Sequence, residues 1–165
     1  MKVIKSEQFS KWYKKLGEIS EFNYKLLHGI LNNNAYVSKW NKDVSPLCEI
    51  CKDEENIEHL LIDCKIIKTI WEKVSSFLKF DITWKIIVLG FYAEVSDKTL
   101  LLNNLIAFIT FSMYKYKMKC RLKDEKMSEK NLLFSLKSNL CMQNTVLKMT
   151  GCIRNDIYHD IGDYL

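Results

Sequence analysis

The sequence predicts a mainly α fold: one helical domain over residues 1–165, interrupted by a short Cys3His loop. Three observations carry this. The 165-residue chain holds one proline and five glycines, too few for the frequent turns of a sandwich or barrel. Apolar residues recur at steps of three and four through most of its length. Three of the six cysteines and one of the three histidines fall within "CEICKDEENIEHLLIDC", Cys48 to Cys64. A hydrophobic fraction of 48% is enough for one core.

The elements follow in order. Ser6 is placed to cap a first helix carrying Phe9, Trp12, Tyr13 and Leu16 at helical spacing. A second runs through "EFNYKLLHGILN", with Phe22, Leu26, Leu27, Ile30 and Leu31 on one side. Turn formers, a possible short helix and the only proline, Pro46, precede the first clustered cysteine. The segments "ENIEHLLIDC" and "KIIKTIWEKVSSFLKF" read as helix, with Ile67, Ile70, Trp71, Val74, Phe77 and Leu78 forming a core stripe. "ITWKIIVLGF" fits a buried strand and a short helix equally. A long helix is expected from Asp97 to Lys123 and another from near Ser128, together the helical part 97–148. The tail from Gly151 gives no firm element and is expected to fray.

Charge is divided along the chain. Residues 1–42 carry eight Lys against three Glu, and residues 113–165 ten basic against six acidic side chains; residues 43–72 reverse this with three Lys and eight acids. Basic ends suit a polyanion and the acidic middle opposes one. The start, "MKVIKSEQFSKWYKK", has no secretory apolar run. The most apolar stretch, "LLLNNLIAFITF", is too short to span a bilayer. An intracellular protein, nuclear and/or cytoplasmic and without a membrane partner, is expected; there cysteines stay reduced and clustered ones point to metal.

The cluster has the spacing C-x2-C-x7-H-x4-C, formed by Cys48, Cys51, His59 and Cys64. Two sulfurs of a tight turn can reach one ion. His59 and Cys64 can approach the same ion if the helix opens near Asp63. Three thiolates and an imidazole form a closed set that fits structural zinc and leaves no position for a reacting water. Thiolates also favour zinc over magnesium or calcium. The segment 46–64 has little apolar material, so the metal is expected to fold it.

"EFNYKLLHGILNNN", a Pro-x-Cys step at Pro46, "CEICKDEENIEHLLIDC" and the "IW" of Ile70–Trp71 together resemble the zinc-binding region near the C-terminus of LINE-type (non-LTR) retrotransposon reverse transcriptases. "ITWKIIVLGF" and "YKYKMKCRL" resemble the helical segment that follows it, so the likeness spans about residues 18–148. The spacing differs from the retroviral zinc knuckle, in which four residues separate the second Cys from the His. The resemblance implies a zinc-stabilised module that helps a polymerase hold element RNA and target DNA. Polymerase chemistry needs paired carboxylates holding two metals. No Asp-Asp pair occurs in the chain, so a non-enzyme without a small-molecule substrate is expected.

For contact with RNA or DNA, "MYKYKMKCRLKDEK" is the densest basic stretch. On a continuous helix Lys115, Lys119, Lys123 and Lys126 share an arc of about 80°, with Tyr116 beside them able to stack on a base; Lys117 and Arg121 point elsewhere. Lys11, Lys14 and Lys15 around Trp12 and Tyr13 are a second candidate. His28 is read as a hydrogen-bonded core histidine, His159 has no role, and Cys120, Cys141 and Cys152 are read as buried or half-buried thiols. The acidic run Asp53-Glu54-Glu55 must point away from phosphate or bind a basic protein partner. The rivals to a nucleic-acid module are thus a protein-interaction module and a decayed element remnant without activity.

Overall fold

A computed structural model describes residues 17–91, 96–149 and 156–165. Among them the only non-helical pairing is an isolated antiparallel bridge, Leu47 to Glu54. The helix expected after Ser6, the Lys11–Lys15 cluster and Cys152 lie outside the described residues.

Helix α1 spans Glu18–Leu27. Glu18 and Glu21 in its first turn complement the helix dipole, and Lys25 bonds Glu21 at 2.6 Å. It stops before the apolar pattern does. Gly29 adopts φ 67°; Gly29 N–H donates to the Leu26 carbonyl and Ile30 N–H to that of Lys25, the Schellman closure that glycine permits. Ile30 is consequently exposed, while Leu31 is buried beyond the helix. His28 caps the end and lies exposed against the Tyr24 ring, 4.2 Å between centroids, not in the core as its register suggested. A short helix α2, Asn34–Val37, begins at Asn33, whose side chain accepts from Tyr36 N–H.

A π-helical turn, His59–Asp63, leads into α3, Lys65–Leu78. Ile67, Ile70, Trp71 and Val74 are the buried face of α3; Phe77 and Leu78 pack partly buried beside it. The ambiguous stretch resolves as helix α4, Trp84–Leu89. Thr83 accepts from Ile86 N–H at its start and Gly90 ends it at φ 68°.

Helix α5, Asp97–Leu122, is the spine, about 39 Å long at 1.5 Å per residue. Ser96 caps it, its Oγ accepting from Thr99 N–H. Its buried residues lie on more than one side because it packs against α1, α4, the π turn and the next helix. That helix, α6, spans Glu129–Met149 and buries Leu132, Leu136, Leu140 and Asn144 at four-residue steps. The described end of the tail, residues 156–165, is not frayed. Helix α7, Ile157–Tyr164, packs on α6 and α3, with Tyr158 against the Phe108 ring, Tyr164 against Phe77, and Ile161 fully buried. Side chains from across the chain join one apolar cluster.

Candidate metal centre

The loop between α2 and the π turn reverses tightly after Cys51. Lys52 takes φ 65°, its N–H donates to the Cys48 carbonyl, and Cys48 N–H donates to Asp53. This knuckle aims two sulfurs the same way. The π turn supplies the other two ligands. In an α-helix, residues five apart face about 140° away from each other. Here Cys64 N–H reaches the His59 carbonyl at 2.9 Å, the wider i to i+5 closure often found at functional sites. Cys64 then leaves helical geometry at φ −57°, ψ 129°, which turns its sulfur back toward His59.

One potential ligand atom from each of Cys48, Cys51, His59 and Cys64 lies within 4.8 Å of the other three. The sulfurs of Cys48 and Cys51 are each 3.9 Å from that of Cys64. A tetrahedron with zinc–sulfur arms of about 2.3 Å has edges of about 3.8 Å, so the spacing fits one tetrahedral ion. The buried Nε2 of His59 has no hydrogen-bond partner, an orphaned atom that a metal could answer. Lys65 N–H, at the first turn of α3, donates to Cys51 Sγ at 3.3 Å. That hydrogen bond ties the Cys51 sulfur to the N-terminus of α3. Burial pushes the Cys64 thiol up to about 12; the Lys117 ammonium pulls against this, and negative charge on Cys48 and Cys51 adds to the rise. Cys64 needs a cation beside it to become thiolate.

The acidic run divides. Asp53 and Glu54 are exposed, but Glu55 is 0% exposed and cannot greet an outside partner. Its carboxylate pairs with Lys117 Nζ at 2.9 Å and with Arg121. It also accepts from Asn34 N–H at the start of α2. Of the basic residues pointing away from the exposed stripe, Lys117 is thus buried and Arg121 half-buried. Lys117 Nζ also stands 4.0 Å from Cys48 Sγ. Spacing within the cluster alone does not reveal this. The available signal is that Lys117 follows Ile109 and Met113 at four-residue steps, at an inward register.

Lys115, Lys119 and Lys123 are exposed along one side of α5. Lys115 bonds Glu18 at 3.0 Å and sits over the Phe111 ring. Lys126 leaves the stripe. The helix ends at Leu122, Asp124 turns at φ 52°, and Glu125 N–H closes on the Cys120 carbonyl, a Schellman stop made without glycine. The three lysines, with half-buried Tyr116, line a groove of about 760 Å³ between α5 and α6. Cys120 is buried, whereas Cys141 is exposed, contrary to its sequence reading.

No helix among the described residues is long and apolar enough to cross a membrane. Comparison with curated proteins and with solved structures finds no match. Residues 4–71, which include all four clustered ligands and end at Trp71 of α3, match the family model described as zinc-binding in reverse transcriptase.

Proposed function

We propose that this chain is a non-catalytic, zinc-stapled helical module that binds RNA or DNA non-specifically, derived from a LINE-type reverse transcriptase. The observation that carries the zinc half is convergence of the Cys48, Cys51, His59 and Cys64 ligand atoms to within 4.8 Å, joined by the family match over residues 4–71. Zinc, when bound, supplies the positive charge that holds three thiols as thiolates and closes the loop. The chain's own residues do the rest. The Lys52 turn orients Cys48 and Cys51, the π turn brings His59 and Cys64 round, and the α3 N-terminus steadies Cys51. With four protein ligands no position is left for a reacting water, so the site is structural.

The nucleic-acid half is supported by Lys115, Lys119 and Lys123 at four-residue steps along one groove; Lys115 and Lys123 pair with the exposed Glu18 and Glu125, which phosphate would have to displace. Such a stripe can follow a phosphate backbone, and Tyr116 in the same wall offers a ring to a base. A second reading has its own observation. Leu122 is 88% exposed and Met142 62% exposed on the same groove, an apolar surface that suits a protein helix.

Two measurements test this. The purified protein is expected to contain about one zinc per chain, and Cys51→Ser to lose both the zinc and helical circular dichroism; a stable, metal-free wild type would overturn the metal half. Affinity for labelled single-stranded RNA and DNA is expected to fall steeply with salt, with K115E/K119E/K123E flattening that slope. Binding of a protein partner that persists at high salt and fails in Leu122→Ser would favour the second reading.

A further inference from the structure

The ligands of the metal centre all come from one short stretch, yet the charge that surrounds them comes from elsewhere. Three thiolates and a neutral imidazole around a divalent zinc carry one net negative charge. Buried charge of that kind is costly unless it is compensated. A compensating group is Lys117, on α5. Its Nζ lies 4.0 Å from Cys48 Sγ and 2.9 Å from Glu55 Oε2, and the residue is 6% exposed.

Lysine at an inward register of a core helix needs a reason to stay. Glu55 pairs with it, and a buried carboxylate between one lysine and one arginine leaves the three groups with one net positive charge. Metal cluster and triad together are then formally neutral. Arg121, one turn further along α5, holds the other carboxylate oxygen. The Asn34 N–H donates to the same side chain. The triad therefore joins α2, the metal loop and α5 at one carboxylate. The space beside it is a cavity of about 20 Å³ bounded by Cys48, Glu55, Lys117 and Arg121, room for about one water.

We propose that Lys117, held in place by Glu55 and Arg121, is a positioning residue that neutralises the metal–thiolate cluster, so that affinity for zinc is set partly by α5, outside the stretch that carries the ligands. Coupling of this kind is reciprocal: the bound ion strengthens docking of the loop on α5 as much as α5 strengthens the ion. The inference rests on the reading of Cys48, Cys51, His59 and Cys64 as a zinc site.

The test is zinc affinity of the full chain, measured by competition with a chromophoric chelator, together with the thiolate-to-metal charge-transfer band of the cobalt(II)-substituted protein. Lys117→Met is expected to weaken zinc by about 10–100-fold and to move the cobalt band to lower energy, because the sulfur electrons lose a neighbouring cation. Lys117→Arg is expected to restore most of both. The double variant E55Q/K117M removes the ion pair and keeps one net positive charge, on Arg121, but none beside Cys48. If the pair served folding alone, folded Lys117→Met and E55Q/K117M would both bind zinc as the wild type does. Weakened zinc in either folded variant supports the proposal, and wild-type affinity with an unmoved cobalt band in both overturns it. A wild type that takes up no zinc overturns the metal reading and this inference with it. Zinc-binding wild type with unchanged variants overturns this inference alone.

Discussion

Glu55 shows how far a residue's role can depart from its neighbours in sequence. It closes an acidic run whose first two members are solvated, yet it is buried among cations. Burial alone would raise its carboxyl, but the charges and hydrogen bonds of Lys117 and Arg121 outweigh that, and the net shift is downward. A carboxyl whose folded value lies below its unfolded one stabilises the fold above the unfolded value and loses that contribution as pH falls through the folded one. The difference in urea midpoint between wild type and Glu55→Gln should therefore be largest near neutrality and shrink below the ordinary glutamate value of 4.5. Glu55→Ala leaves Lys117 buried with no carboxylate partner and should cost about 3–5 kcal/mol in urea unfolding at pH 7. None of this is legible in the acidic run itself, because a carboxylate's partner is chosen by whichever helix folds over it.

At the scale of elements, starts and stops decide what the apolar pattern leaves open. Phe22 and Leu26 announce α1, but Gly29 ends it before the pattern does. "ITWKIIVLGF" has no periodicity that separates strand from helix, and its helical outcome follows from the Thr83 cap and the Gly90 stop. Gly90 combines φ 68° with ψ −172°, a conformation essentially confined to glycine. A Cβ there would meet Asn103 Oδ1 at 2.8 Å. That amide is already committed, accepting from Phe91 N–H and donating to the Phe91 carbonyl. Gly90→Ala should destabilise by about 1–3 kcal/mol. Gly162, within α7, is the contrast: an added Cβ makes ordinary contact with Leu140 at 3.7 Å. Gly162→Ala should be neutral or stabilising by up to about 1 kcal/mol. Thermal unfolding of the pair separates a conformational requirement from a tolerated glycine. The Lys126 displacement has the same origin, since a helix face computed from spacing holds only as far as the helix runs.

For the whole molecule, α5 is the shared wall. One side receives α1 through Phe22 against Phe111 and Tyr114, another receives the metal loop through Lys117 and Arg121, and α6 packs along its length. Stripping the metal should thus loosen more than the loop. Chelator is expected to lower the cooperativity and midpoint of unfolding followed by the helical signal, and not merely to alter residues 46–64. The mainly α fold, the four clustered ligands and the core stripe of α3 were legible in the sequence. Local physics sets them: glycine and proline scarcity, three-and-four spacing, and thiol chemistry in a tight turn all act over a few residues. The helical tail, the exposure of His28, the burial of Glu55 and the inward Lys117 were decided only by tertiary structure. Each depends on which distant surface covers it, and a carboxylate at position 55 meets a lysine at position 117 only once the chain has closed on itself.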